Sequence, residues 1–185
     1  MRLVAKRMHR FEPTASSVAS AKARQLQEEG NNIISLSQGE PDFPTPDNVK
    51  EAAIKAMQLN QTRYTPTGGT PALKEAIAHK FKRDNDLVFT PEQIVAGNGG
   101  KQMIFSAMVC TIEEGDEAII PAPYWVAYPD LVKFAKGTPV VIKCSEENQF
   151  KLLPEQLEAA ITPKTKWLFL NSPSNPAGSL YSPTE

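Results

Sequence analysis

Three stretches of this chain gather side chains able to bind or act on a small molecule: GNGGKQ (97–102), PAPYWVAYP (121–129) and NSPSNPAG (171–178). The glycines of the first, Gly97, Gly99 and Gly100, let a backbone come close to a ligand, and the N–H groups of a helix starting there favour an anion. The stretch is either a phosphate cradle or a tight strand-to-helix turn with a solvated Lys101. It is not a P-loop, which needs Gly at 95 and Ser or Thr at 102, where Val95 and Gln102 stand. The dinucleotide fingerprint fails at the same Gln102. In the second stretch, Tyr124, Trp125 and Tyr128 offer aromatic faces that either stack on a flat heterocycle or pack in the core. In the third, Pro173 and Pro176 stiffen a loop holding Asn171, Ser172, Ser174 and Asn175. A carboxamide both donates and accepts, so Asn175 suits a ring oxygen or a carboxylate; the alternative is a turn in which Asn caps backbone groups.

Other chemistries are poorly supplied. The two histidines, His9 and His79, and the two cysteines, Cys110 and Cys144, are too few and too scattered for a zinc cluster. The cysteines read as reduced core thiols of a cytoplasmic protein. No G-x-S-x-G nucleophile turn occurs. Asp42, Asp84, Asp86 and Asp116 all fall in predicted turns, where Asp is common, so no acid–base pair stands out.

The elements around these stretches alternate. A helix over 17–29 closes at Gly30, and Ile33, Ile34 and Leu36 read as a short strand. Thr45-Pro46 and Thr70-Pro71 are helix starts, a capping Thr followed by Pro at the first helical position. From residue 93 the order is strand QIVAGN, helix KQMIFSAMVCTI, strand EAIIP, helix APYWVAYPDLVKFA ending at Gly137, strand TPVVIK, helix PEQLEAAI and strand KWLFL. Such alternation predicts an α/β layer fold with a largely parallel sheet, whose ligands bind at the carboxyl ends of strands. The three stretches follow strands in this reading. The terminal Ser-Pro-Thr-Glu (182–185) reads as a helix start.

Composition narrows the class. The chain has 185 residues, one ordinary domain's worth, and 20 Lys and Arg against 21 Asp and Glu. A net charge of −1 argues against nucleic-acid or polybasic membrane binding, and no apolar run approaches the ~18 residues of a membrane helix. The N-terminus MRLVAKRMHR lacks the apolar core of a secretory signal. Prolines number 16, and they punctuate elements rather than forming a tract.

Taken together, SLSQGEPDFPTP (35–46), RYTPTGGTPALKEAIA (63–78), GNGGKQ, GDEAIIPAPYWVAYP (115–129) and ITPKTKWLFLNSPSNPAG (161–178) resemble the class I aminotransferases of the fold-type I, pyridoxal-phosphate-dependent group, in the form of the bacterial aspartate aminotransferases. The resemblance runs from about residue 17 to residue 185. It implies a three-layer α/β/α large domain, incomplete here, with an N-terminal arm from the small domain: residues 1–45 arm and small-domain segment, 46–185 the N-terminal part of the pyridoxal-phosphate-binding large domain. The implied cofactor is pyridoxal 5′-phosphate, and the implied reaction moves an amino group between an amino acid, aspartate or glutamate first, and a 2-oxo acid.

The resemblance also implies roles. Cofactor contacts fall to Tyr64, reaching the phosphate of a neighbouring subunit in a homodimer, to Gly99, Gly100 and Lys101 around the phosphate, to Trp125 over the ring and to Asn175 at the ring 3′-oxygen. Substrate contacts fall to Gly39 at the α-carboxylate, and to Lys101, Trp125 and Asn175, with the Lys101 side chain reading an acidic substrate. Glu12 stands where relatives that accept prephenate tend to carry lysine, which implies weak prephenate use. The family's Schiff-base lysine, pyridinium-pairing aspartate and carboxylate-gripping arginine all lie C-terminal of the N-x-P-x-NP-x-G motif. The expectation is therefore an N-terminal fragment, inactive alone, with a non-catalytic α/β binding or dimerising module as the alternative.

Overall fold

A computed structural model describes residues 3–5, 8, 11, 13–37, 39 and 41–185. His9 and Glu12, with the prephenate expectation that rests on Glu12, lie outside the described residues. The chain divides into two units, Pro13–Gly99 on one hand and Met1–Glu12 with Gly100–Glu185 on the other.

The Pro13–Gly99 unit is built from helices α1 (Ala15–Glu28), α2 (Asp47–Gln58) and α3 (Pro71–Asn85). Thr14 Oγ1 accepts the Ser17 N–H at the start of α1. Gly30 follows its end at φ +87°, a conformation glycine adopts without a Cβ penalty. Helix α3 starts as its sequence predicts: Thr70 Oγ1 accepts the Leu73 N–H at 3.3 Å and Pro71 takes the first helical position. Helix α2 starts one residue later than expected, with Pro46 rather than Thr45 at the cap position and no side-chain cap.

Two predicted strands of this unit do not form. Residues 31–36 carry no strand, and Ile34 and Leu36 are 85% and 92% exposed. Residues 94–98 are also extended rather than paired; the Ala96 N–H donates to the Gly68 carbonyl at 2.9 Å. An apolar run becomes a strand only when a neighbouring strand takes up its backbone groups in a ladder, and among the described residues no strand pairs with either run.

The second unit holds α4 (Gly100–Thr111), β1 (Glu117–Ala122), α5 (Tyr128–Phe134), β2 (Thr138–Lys143), α6 (Pro154–Ala160) and β3 (Thr165–Leu168). The strands form a parallel sheet in the order β2-β1-β3. Glu117 pairs with Thr138 and Ala122 with Lys143 along β2, while Ile119 pairs with Leu168 on β3. Central β1 is covered on both faces, so Ala118, Ile119 and Ile120 are fully buried and its sequence is continuously apolar there. Met108 of α4, Ile112 just after that helix, Val132 of α5 and Ala135 pack with Ala118 and Ile120 into the core. Cys144 is buried, but Cys110 is exposed, against the expectation that both are core thiols.

Helix α5 is shorter than its apolar pattern suggests, because residues 123–127 form a turn before it. It ends at Phe134, and Gly137, the expected stop, is glycine for a reason of space. A Cβ on Gly137 would sit 2.7 Å from Ile112 Cγ2 and 3.1 Å from Val132 Cγ1, while the positive φ, 71°, falls on Lys136.

Candidate functional site

The carboxyl ends of three parallel strands point the same way, and each feeds a loop. After β1 the chain runs through Pro123, Tyr124 and Trp125, and the Tyr128 N–H donates to the Trp125 carbonyl at 3.0 Å to begin α5. After β3, the Phe169 N–H extends the ladder to the Ile119 carbonyl at 2.9 Å, and the chain then turns through Asn171–Gly178. The peptides before Pro123, Pro173 and Pro176 are cis.

Aromatic rings tie these loops together. Phe169 stacks on Tyr128 with centroids 4.4 Å apart, and Trp125 meets Tyr128 edge-on at 5.4 Å. The Lys101 ammonium, on the first turn of α4, lies 4.9 Å from the Trp125 ring, a cation–π distance. Trp167, two residues before Phe169 on the same face of β3, anchors the far end through its indole N–H to Thr111 Oγ1 at 2.9 Å. Tyr128 thus belongs to the packed cluster, whereas Trp125 is half-buried at its outer end, under Lys101. Burial raises the Tyr128 phenol above its ordinary pKa.

Tyr128, Phe169, Asn171, Ser174 and Asn175 line one cavity of about 30 Å³. The buried Ser174 hydroxyl in it has no hydrogen-bond partner among the described residues. The Asn175 N–H is held by Asn171 Oδ1 at 3.0 Å, so Asn171 plays the turn-capping part and leaves Asn175 exposed. A larger cavity of about 640 Å³ lies between Leu152, Leu157, Leu168 and Leu170. It is mostly apolar and none of the expected site residues lines it, so size alone does not mark the site.

The start of α4 suits an anion. Gly99 adopts φ +88°, and apart from the flanking chain and the helix's own backbone no atom of the described residues lies within 4 Å of where a Cβ on Gly99 or Gly100 would stand. The first turn carries no acidic residue. A phosphate there would meet helix N–H groups and the Lys101 charge without a competing carboxylate. The residues of the second unit therefore fit a phosphorylated aromatic cofactor: an anion cradle at the start of α4, Gly100 and Lys101, an aromatic plane at Trp125 and a polar loop at Asn175.

The family model for aminotransferase class I and II matches residues 31–185, most of the chain. The chain belongs to the class I and II aminotransferase family. This aminotransferase chain is 53% identical over 176 residues to an aspartate/prephenate aminotransferase of Cereibacter sphaeroides, a match covering 95% of the chain and 44% of that relative. Among solved structures, the aspartate aminotransferase of Thermus thermophilus with maleate superposes with a TM-score of 0.96 at 43% identity, covering 100% of this chain and 48% of that one. The aspartate aminotransferase of Rhizobium meliloti gives 0.94 at 44% identity, covering 98% and 46%. The aminotransferase chain thus spans a little under half the length of these relatives. Its parallel sheet is part of their fold-type I α/β domain.

The second unit brings Lys101, Trp125 and Asn175 to one end of its sheet. Gly39 and Tyr64 lie in the Pro13–Gly99 unit, where both are exposed. The Tyr64 hydroxyl makes no hydrogen bond among the described residues. Sequence reasoning passed over Phe169 and Trp167; their i, i+2 spacing on a strand is the signal that puts both rings on one face. Among the described residues no group of His, Cys, Asp or Glu is placed to hold a metal ion, and no helix is long and apolar enough to cross a membrane.

Proposed function

We propose that the complete protein carrying this chain exchanges an amino group between a dicarboxylic amino acid and a 2-oxo acid with pyridoxal 5′-phosphate. The observation that carries this reading is the Lys101 ammonium 4.9 Å from the Trp125 ring, on the first turn of the glycine-led helix. That arrangement joins an anion cradle, an aromatic plane and a mobile-length cation within one side chain's reach. Bound there, pyridoxal phosphate supplies the electron sink of the reaction, and the protein supplies orientation and electrostatics.

The chain's own residues divide the work. Backbone N–H groups at Gly99, Gly100 and Lys101 hold the phosphate. Trp125 covers the ring and keeps water off it, while the Asn175 carboxamide donates to the ring 3′-oxygen. Gly39 presents its N–H to the substrate α-carboxylate. Tyr64, 108% exposed, reaches the phosphate of a second subunit in a homodimer. The Lys101 side chain turns from Trp125 to the substrate's second carboxylate. Residues 1–45 serve as arm and small-domain segment, and 46–185 as the first part of the cofactor domain. The dicarboxylate maleate in the Thermus thermophilus structure supports the choice of an acidic substrate.

The test is the ratio of kcat/KM for aspartate over alanine or phenylalanine, in the complete protein and in its Lys101→Ala variant. A charge-assisted hydrogen bond contributes ~1.5–3 kcal/mol, so aspartate falls roughly ten- to over a hundredfold while the neutral substrates barely change. An equal loss for all three removes Lys101 from substrate recognition. The same assay with prephenate as acceptor checks the Glu12 expectation, which is weak use.

A further inference from the structure

We propose that Tyr181 and Ser179 are positioning residues for Asn175, clasping the loop that carries it to the segment after β2. The proposal rests on the reading of Asn175 as the donor to the cofactor's ring oxygen.

The Asn175 carboxamide makes no hydrogen bond among the described residues, so the reach of that side chain depends on where the backbone carrying it is held. That backbone is closed on itself at the base. The Gly178 N–H donates to the Ser174 carbonyl at 2.8 Å, and the Ser174 N–H donates to the Ser179 carbonyl at 2.9 Å. A ring closed this way is locally shaped but not yet placed. Placement comes from the next residues. Ser179 Oγ donates to the Gln149 carbonyl at 2.6 Å. The Tyr181 hydroxyl accepts the Leu152 N–H at 2.7 Å, and the Tyr181 N–H donates back to Ser172 Oγ at 3.1 Å. Tyr181 therefore holds both the far loop and the near end of the Asn175 turn.

The far side of the clasp is stiff. Gln149 and Phe150 take positive φ values of 55° and 57°, a conformation few side chains adopt, which turns the Gln149 carbonyl toward Ser179. Leu152 is 9% exposed, so water does not readily replace the Tyr181 oxygen as acceptor for its N–H. The Lys151 ammonium lies 6.0 Å from the Tyr181 ring and pairs with the Glu185 carboxylate at 2.9 Å, closing the outer side.

The experiment uses the complete, cofactor-loaded protein and reads hydrogen exchange and the pH at which the bound cofactor's absorbance changes. Tyr181→Phe removes one acceptor and keeps the ring. Exchange at the amides of Leu152, Ser174, Asn175 and Gly178 is expected to quicken roughly tenfold, about one lost hydrogen bond's effect. The absorbance transition moves to higher pH, in the direction Asn175→Ala moves it but by less, because a donor to the deprotonated oxygen is misplaced. In the Asn175→Ala background Tyr181→Phe adds nothing to the transition. Should Tyr181→Phe fail to fold, Ser179→Ala gives the same quickened exchange at Ser174, Asn175 and Gly178 and the same absorbance shift, and Ser179→Thr, which keeps the hydroxyl, restores the wild-type behaviour. Unchanged exchange, or a shift by Tyr181→Phe that persists without Asn175, overturns the clasp while leaving Asn175 its role. No shift in Asn175→Ala overturns the Asn175 reading itself, and with it the purpose of the clasp.

Discussion

Trp125 and Tyr128 show how neighbouring aromatics divide between packing and chemistry. Tyr128 is stacked on Phe169 at 4.4 Å and packs against the core cluster, whereas Trp125 meets Tyr128 in a T-shaped contact and has the Lys101 ammonium over its ring. Replacing each separates the two jobs. Trp125→Ala in the complete protein is expected to weaken cofactor binding about tenfold, the scale of one lost aromatic contact, with a melting temperature near that of the wild type. Cofactor titration by fluorescence beside a thermal melt checks this. Unchanged affinity with a lowered melt would make Trp125 a packing residue.

At the scale of elements, close approach fixes the residue type where α5 turns toward β2. Gly137→Ala forces a Cβ against Ile112 Cγ2 at 2.7 Å, and the buried, branched Ile112 has little room to give. The expected cost is ~1–3 kcal/mol, read from the urea midpoint of the complete protein. No change there would show that α4 can shift. A second element-scale prediction concerns Ser182–Glu185, where the Glu185 carboxylate accepts the Ser182 N–H at 2.7 Å, one half of a capping box. The Lys151 ammonium beside it, helped by that N–H, holds the Glu185 carboxyl down to about 2. The folded pKa lies below the unfolded one, so this contribution is present above the ordinary carboxylate range and is lost as pH falls from ~4.5 toward 2. Lys151→Met is expected to raise the Glu185 titration, followed by NMR, toward its ordinary value, the Ser182 hydrogen bond keeping part of the depression. An unmoved titration would remove the ion pair as its cause.

For the molecule as a whole, surface left uncovered matters more than surface buried. Among the described residues the sheet has β1 at its centre and β2 and β3 at its edges. Val141 on β2 and Leu168 on β3 are 48% and 40% exposed, and Leu170 just beyond is 60% exposed. Helix α2 buries none of its residues and presents Val49, Ile54 and Met57. Unpaired strand edges and apolar patches of this kind promote self-association. The 185-residue chain by itself is expected to associate and to turn over no amino acid, even with pyridoxal phosphate added. Size-exclusion chromatography, calorimetry and a 2-oxo-acid assay check this; a soluble monomer with a sharp cooperative melt, or steady turnover, would refute it.

Much of this arrangement was legible in the residues. Thr70-Pro71 announces α3 because a capping hydroxyl and a preset φ act within one turn of chain. The runs that become β1, β2 and β3 are readable because their apolar content, turns and intervening helices are local too. The aromatic, glycine and asparagine loops were legible as candidates for the same reason. Residues 33–36 and 94–98 have equally strand-like sequences, yet they are not strands, because pairing is a property of a neighbour and not of the run. Gly137 reads as a helix stop, but only the docking of α4 on α5 reveals the Ile112 methyl that demands it. Which of Trp125 and Tyr128 packs and which stays free was settled by Phe169, more than forty residues away. The grip of Tyr181 on Leu152 spans 29 residues, a separation at which sequence patterns carry no signal. The residues determined the local conformations and the chemistry on offer; tertiary structure decided which groups meet, because burial and hydrogen bonding are settled only when distant elements exclude water together.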